Sequence, residues 1–226
     1  MPTKKKTLMF LAGFCTSLGS FVVLCTVLGR QNWVSSTIPI SDIFSNGTVV
    51  IVYGLFRGTS TQRLDLGLEE SDKYFEVLGT LRSSSQKTLQ ALVILLLALS
   101  LFTSLLSAGV TLYNSISNPY QTFLGPTGVY TWNGLNASFV LLALLLFVGN
   151  TQANRLSETL SQTINQMLVH KEATHSYGYA FWLLLLVILL NILTVVIIVF
   201  YQKARYQRKQ EQRKPMEYAP RDGILF

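Results

Sequence analysis

Four long apolar stretches dominate the chain. Thr7–Leu28, Thr88–Tyr113, Val129–Asn150 and Tyr179–Phe200 contain no Asp, Glu, Lys, Arg or His. A bilayer core of about 30 Å needs about 20 apolar helical residues at about 1.5 Å each, and each stretch meets that length. The pattern predicts an all-α membrane protein, a bundle of four transmembrane helices. The division is 1–6 N-terminal segment, 7–28 first span, 29–87 long loop and 88–113 second span. It continues with 114–128 short loop, 129–150 third span, 151–178 loop, 179–200 fourth span and 201–226 tail. The first stretch could alternatively be a cleaved signal peptide, with Lys4–Lys6 before it and Val27-Leu28-Gly29 as the cleavage sequence. Its 22 uncharged, mainly apolar residues exceed the roughly 7–15 of a signal core, so a retained span is the adopted reading.

The polar segments carry their own pattern. In the long loop, Trp33–Ile40 and Thr48–Phe56 are rich in Val, Ile, Thr and aromatics, with Asn46-Gly47 between them. That combination predicts a small β-hairpin or sheet with the Asn-Gly pair at its tip. Pro39 suits an edge strand. Tyr74, Val77, Leu78 and Leu81 recur at helical spacing, which predicts a short amphipathic helix over Glu69–Leu81. The 151–178 loop is polar and reads as solvated. Its His170 and His175 lack Cys or clustered carboxylates, so no metal site is expected. The two cysteines, Cys15 and Cys25, both lie in the first span. Their separation along the helix excludes a disulfide between them, and the outer loops have none to staple them.

Charge fixes the orientation. Only 13% of the 226 residues are charged, and from Thr88 to Asn154 a run of 67 residues has no Asp, Glu, Lys, Arg or His. A soluble surface needs more charge than that. The net charge of +7 would suggest nucleic acid if it were spread over the chain. The 29–87 and 151–178 loops are balanced, however, and the excess resides in Lys4–Lys6 and in the tail. The positive-inside rule then puts both termini in the cytoplasm and both larger loops outside. Asn46-Gly47-Thr48 is an N-glycosylation sequon in a loop so placed. A second match, Asn136-Ala137-Ser138, falls in the third span and should stay unmodified.

Lipid gives helices no hydrophobic reason to pair, so small residues and interhelical hydrogen bonds must hold them. Candidate packing positions are Ala12, Thr16 and Ser20 on the first span and Ser100, Ser104 and Ala108 on the second. Gly13 and Ser17 flank the first stripe. On the fourth span, Asn191 near the middle should face the bundle. Pumps, proton relays and voltage sensors place ionisable groups inside the membrane; these spans have none. No nucleophile–base pair, phosphate-binding Gly loop or metal motif occurs either. The expectation is neither transporter nor enzyme, with no cofactor, small-molecule substrate or nucleic acid, and with the lipid bilayer as first partner.

Four spans, a large first outer loop, Trp33 and then Gly54-Leu55-Phe56 resemble the claudin and peripheral-myelin-protein superfamily. In that superfamily the loop carries Trp, later Gly-Leu-Trp, and two cysteines. Here Phe56 stands for the last Trp and both cysteines are missing, which counts against a true claudin strand or pore. The run Asn118-Pro119-Tyr120-Gln121-Thr122-Phe123-Leu124-Gly125-Pro126-Thr127-Gly128-Val129-Tyr130-Thr131-Trp132-Asn133-Gly134, with Tyr53-Gly54-Leu55-Phe56 and Tyr201–Tyr206, is much closer to the clarin family. The resemblance covers essentially the whole chain and is strongest to the third paralogous branch. It implies a tetraspan plasma-membrane protein. Relatives are associated with sensory hair cells, synapses, actin organisation and hearing.

The tail offers two contacts. Lys203, Arg205, Arg208, Lys209, Arg213 and Lys214 include only one acidic neighbour between them, Glu211. Anionic inner-leaflet lipids attract such a segment at about 1 kcal/mol per basic residue; the alternative is a topology signal without a ligand. The terminal Ile224, Leu225 and Phe226 fit a PDZ-type groove, with an export signal as the alternative. Tyr120–Phe123 has the form of a sorting signal or of an interfacial segment. The expected role is a non-enzymatic membrane organiser with PDZ-scaffold or actin-linked partners. The alternatives are an auxiliary subunit of a channel or receptor, or a cell-contact protein.

Overall fold

A computed structural model gives the structure of the protein and describes residues 4–41, 46–64, 71–82, 84–117, 125–165, 169–170 and 173–217. Four of its helices are long and apolar enough to cross a membrane. They are α1 (Lys4–Leu28), α3 (Ser84–Ile116), α4 (Pro126–Gln152) and α6 (Tyr179–Glu217). The chain also forms strands β1 (Val34–Ser41), β2 (Asn46–Tyr53), β3 (Arg57–Leu64) and β4 (Lys73–Glu76), the turn-like α2 (Val77–Thr80) and α5 (Leu156–Ile164). Strands β5 (Val169–His170) and β6 (Thr174–Tyr177) complete it. All four expected spans are present, each inside a longer helix. The largest extension is α6, which runs 17 residues past Phe200 as far as Glu217, so the basic part of the tail continues the fourth helix.

The long helices form a closed ring: α1 packs on α3 and α6, and α4 packs on α3 and α6. The face that α1 turns inward is Lys6, Phe10, Gly13, Ser17, Ser20, Leu24 and Val27. These positions alternate steps of four and three, the 3.5-residue seam of left-handed helix pairs. That spacing corrects the stripe expected from sequence. Residues four apart drift about 40° per step, so Ala12 is exposed while Gly13, Ser17 and Ser20 are buried.

At the far end of the loops sits one antiparallel sheet of six strands in the order β4-β3-β2-β1-β5, with β6 also on β1. β1 and β2 alternate as half-buried strands should. Val34, Ile38, Ile40, Val49, Ile51 and Tyr53 are buried, and Thr37 and Pro39 are exposed. Four expectations change here. The Asn-Gly pair is not the hairpin tip, because Asn46 pairs with Ser41 and Gly47 with Ile40 inside the ladder; the connecting residues are 42–45. Pro39 is not on an edge strand. β6 pairs with β1 at residues 34–37 and β5 at 40–41, so proline falls in the gap where no ladder bond is needed on that side. The helix expected over Glu69–Leu81 is instead β4 followed by the single turn α2, because β3 offers a free edge to Lys73–Glu76. The 151–178 loop, expected to be solvated, folds into α5, β5 and β6 and completes the sheet.

Sheet and bundle are not separate bodies. A single apolar core runs from Leu24, Val27, Val93, Leu97 and Phe147 between the helices to Trp33, Ile38, Ile51 and Leu55 under the sheet and Leu156 and Leu160 on α5. A second small cluster, Phe10, Val129 and Ile198, closes the opposite end of the bundle.

Candidate functional site

Between these two apolar layers the bundle interior is polar. Ser100 of α3 hydrogen-bonds Asn136 Oδ1 of α4. Asn136 Nδ2 donates to Asn191 Oδ1 of α6 at 3.2 Å. Asn191 Nδ2 lies 3.5 Å from Ser20 Oγ of α1 and 2.9 Å from its own-helix acceptor Val187 O. One chain of side-chain bonds thus touches all four helices. A second layer joins three of them: Ser17 to Ser107 at 3.2 Å, and Asn133 Nδ2 to Ser107 Oγ at 2.7 Å. Thr16 and Thr194 share a bond of 2.7 Å between α1 and α6. In a medium without water these partners are needed, since an unpaired polar group costs several kcal/mol there. Asn136, the asparagine of the second sequon, is fully buried in this network.

The sequence-derived packing residues therefore divide. Thr16, Ser20, Ser100 and Asn191 make interhelical bonds. Ala108 is buried, Ser104 Oγ is buried without a partner, and Ala12 faces outward. Gly13 is small for a reason: a Cβ there would come 3.2 Å from Thr111 Cγ2 and 3.5 Å from Ile198 Cδ1.

At the junction with the sheet, the Trp33 and Gly54-Leu55-Phe56 motif is assembled in three dimensions. Trp33 is fully buried and donates its indole N–H to Val27 O at 3.1 Å. It meets Phe147 edge-on at 5.1 Å between ring centroids. Leu55 is fully buried, and its carbonyl accepts from Gln90 Nε2 of α3 at 3.0 Å. Gly54 lies against the Arg30–Gln31 backbone, where a Cβ would collide with the Arg30 carbonyl oxygen. Phe56 differs from its motif partners. It is 45% exposed and lines a cleft of about 510 Å³ with Leu28, Arg30, Gln31 and Glu76.

No disulfide braces this sheet, and Cys15 and Cys25 are free thiols on the exposed side of α1. A buried hydrogen-bond cluster ties its strands to α5 instead. Ser157 Oγ lies 2.8 Å from both Tyr53 OH and Ser36 Oγ, and Ser36 Oγ lies 2.8 Å from His175 Nδ1. Burial of the Tyr53 phenol pushes its pKa up to about 12, with the bond to Ser157 opposing the shift. Spacing along the chain gives no hint of this cluster, because Ser36, Tyr53, Ser157 and His175 come from four elements in two distant loops. Gln90 was more legible, as a lone amide in an apolar run.

The opposite end is basic. Lys5, Arg205, Arg208 and Lys209 rim a groove of about 310 Å³ floored by Met9, Tyr201 and Ala204. Lys203 is exposed and does not line it. Arg213 and Lys214 fall in α6, whose side chains are described only as far as Glu211. Asn46 opens β2. Ile224, Leu225, Phe226 and Tyr120–Phe123 lie outside the described residues. Among the described residues no three His, Cys, Asp or Glu gather in a metal-binding group.

A family model described as Clarin-2-like matches residues 4–199. The chain is 68% identical to Clarin-3 of Homo sapiens and 66% identical to Clarin-3 of Mus musculus, each over 226 residues and the full length of both chains. It is 22% identical to Clarin-1 of Homo sapiens over 198 residues, 81% of this chain and 83% of that one.

Proposed function

Since the chain belongs to the clarin family and is a multi-pass membrane protein, we propose that it is a non-enzymatic organiser at the plasma membrane. Both termini lie in the cytoplasm and the sheet lies outside. The observation that carries this reading is the continuous core shared by sheet and bundle. A sheet fixed to its membrane anchor presents one shape to a partner outside while the same body presents the basic helix inside. The hydrogen-bonded interior supports the same reading. Apart from Ser104 Oγ and Asn133 Oδ1 at its centre, its serine and asparagine side chains are engaged with one another across four helices.

Contacts are made at two ends. Outside, the sheet and the cleft beside Phe56 meet membrane or junctional partners. Inside, the α6 extension meets anionic lipid, and the C-terminal Ile224–Phe226 meets PDZ-type or actin-linked scaffolds. The role in sensory-cell maintenance known for the family is the biological setting this assigns. Proximity labelling from a biotin ligase at the C-terminus, in tissue that naturally expresses the protein, tests the reading. Cortical and cytoskeletal proteins, lost when Ile224–Phe226 is deleted, are the expected yield. A labelled set equal to that of an unrelated four-span protein would refute it.

A further inference from the structure

The basic groove joins the two ends of the chain. Lys5 and Met9 come from the first turns of α1, and Tyr201, Ala204, Arg205, Arg208 and Lys209 from α6. Tyr201 is fixed by an edge-on contact with Phe10 at 5.4 Å between centroids. Lys6 donates to the Ser117 carbonyl at 2.6 Å and does not line the groove, although its charge and that of Arg205 repel each other. On α6 the lining residues share one face. At about 100° per residue, Tyr201, Ala204, Arg205, Arg208 and Lys209 fall within about 140° of arc, with Lys203 on the opposite face and Glu211 just past the Ala204 edge. No ion pair among the described residues engages Lys5, Arg205, Arg208 or Lys209, and α1 has no acid in its first turn. Four cations therefore converge on one concave, apolar-floored site without a carboxylate between them.

Depth along the helix names the ligand class. Phe200 ends the apolar run. Arg205 is about 7.5 Å and Lys209 about 13.5 Å beyond it along the axis. Headgroups occupy about 5–7 Å of each leaflet, so with Phe200 at the apolar boundary Arg205 stands at the outer edge of that layer and Arg208 and Lys209 stand past it. A serine or glycerol headgroup does not reach that far; a phosphorylated inositol ring does. Two phosphate monoesters carry about −1.5 to −2 each, and the diester adds about −1. That total matches the four cations, and the arginine forks suit phosphate oxygens. The volume is in the range of small-ligand sites.

We infer that the groove between the start of α1 and the extension of α6 binds the headgroup of a polyphosphorylated inositol lipid. It does so through Lys5, Arg205, Arg208 and Lys209, with Met9 and Tyr201 against the lipid's glycerol end. This sharpens the reading of the tail as an anionic-lipid contact. In place of a diffuse attraction spread over six cations it assigns a stoichiometric site, and it recruits Lys5, which is not in the tail. The inference rests on the cytoplasmic placement of the termini for its biological meaning. Symmetric nanodiscs present both leaflets, so the test below reads the chemistry whichever way the protein sits in cells.

The full-length protein is reconstituted in nanodiscs and titrated with short-chain phosphatidylinositol 4,5-bisphosphate and, separately, with phosphatidylserine at matched charge. Saturable binding of about one bisphosphate lipid per chain is expected. Arg205→Gln/Arg208→Gln should weaken it about thirtyfold, while Lys203→Gln/Lys214→Gln, with the same loss of charge, should weaken it less than about threefold. All four positions belong to the α6 extension beyond the apolar run. Elution volume and melting temperature equal to wild type establish that the variants are folded. Equal losses in the two double variants, or equal binding of phosphatidylserine, would reduce the site to diffuse charge and overturn the inference. Competition by free inositol 1,4,5-trisphosphate as potent as the lipid itself would assign the groove to a soluble ligand and overturn its lipid identity.

Discussion

Replacing Asn191 with leucine tests the polar core at its most connected member. Asn191 bonds Asn136 at 3.2 Å and reaches Ser20 at 3.5 Å, so the substitution removes two interhelical contacts. Such contacts average about 0.6 kcal/mol each in membrane bundles. It also strands Asn136 Nδ2, which is fully buried; leaving a buried donor unsatisfied costs about 1–3 kcal/mol. The expected destabilisation is about 2–4 kcal/mol. Ser20→Ala is the contrast. It removes the terminal, longest contact and leaves Asn191 Nδ2 bonded to Val187 O at 2.9 Å, so it should cost at most about 0.6 kcal/mol. Steric trapping in bicelles reads both values as equilibrium unfolding free energies. Wild-type stability in Asn191→Leu, or equal losses in the two variants, would refute the claim that hydrogen bonding across four helices holds the bundle.

Three further outcomes follow from the sheet and its junction. Gly54→Ala sets a Cβ against the Arg30 carbonyl, a backbone atom that cannot rotate away. It should cost about 1–3 kcal/mol and reduce surface delivery in flow cytometry, whereas Gly109→Ala, with nothing within 4 Å, should be neutral or stabilising. Tyr53, with its pKa raised to about 12 from an ordinary value near 10, keeps its proton in the folded state after the unfolded chain has released it. Its contribution to stability is therefore complete below about pH 10 and falls by about 1.4 kcal/mol per pH unit between about 10 and 12. Thermal melts across that window should show the decline in wild type and a shallower one in Tyr53→Phe. Asn46→Gln, in glycosylating cells, should shift the protein on a gel to the mobility of the glycosidase-treated wild type; unchanged mobility would mean the sequon is not used.

The spans were legible because a run such as Phe181–Phe200 admits only one environment. The inward face of α1 was not. Ala12 and Gly13 are both small, and only the 3.5-residue drift of the packed helix decides between them. Within the sheet, β1 and β2 were legible from their Val, Ile, Thr and aromatic residues, while β3 (RGTSTQRL) is polar on both faces and is held as a strand by neighbours on each side. Tyr74 and Val77 fit a helical period by spacing alone, but the free edge of β3 outweighed that local pattern. Trp33 and Gly54-Leu55 were identified by motif, and their function as the seam between sheet and bundle became visible only with Phe147 and Gln90 beside them. The Tyr53–Ser157–Ser36–His175 cluster, which takes the place of a disulfide, has no sequence signal because its members meet only after folding.

Orientation underlies both the organiser reading and the lipid groove, and it is the most direct point of test. One epitope inserted after Gly67, between β3 and β4, and another after Phe226 are each probed by antibody on intact and on permeabilised cells. The Gly67 epitope is expected to stain on intact cells and the C-terminal epitope only after permeabilisation. Surface staining of the C-terminal epitope with a protected Gly67 epitope would invert the protein, putting the sheet inside and the basic groove outside, and would contradict the account.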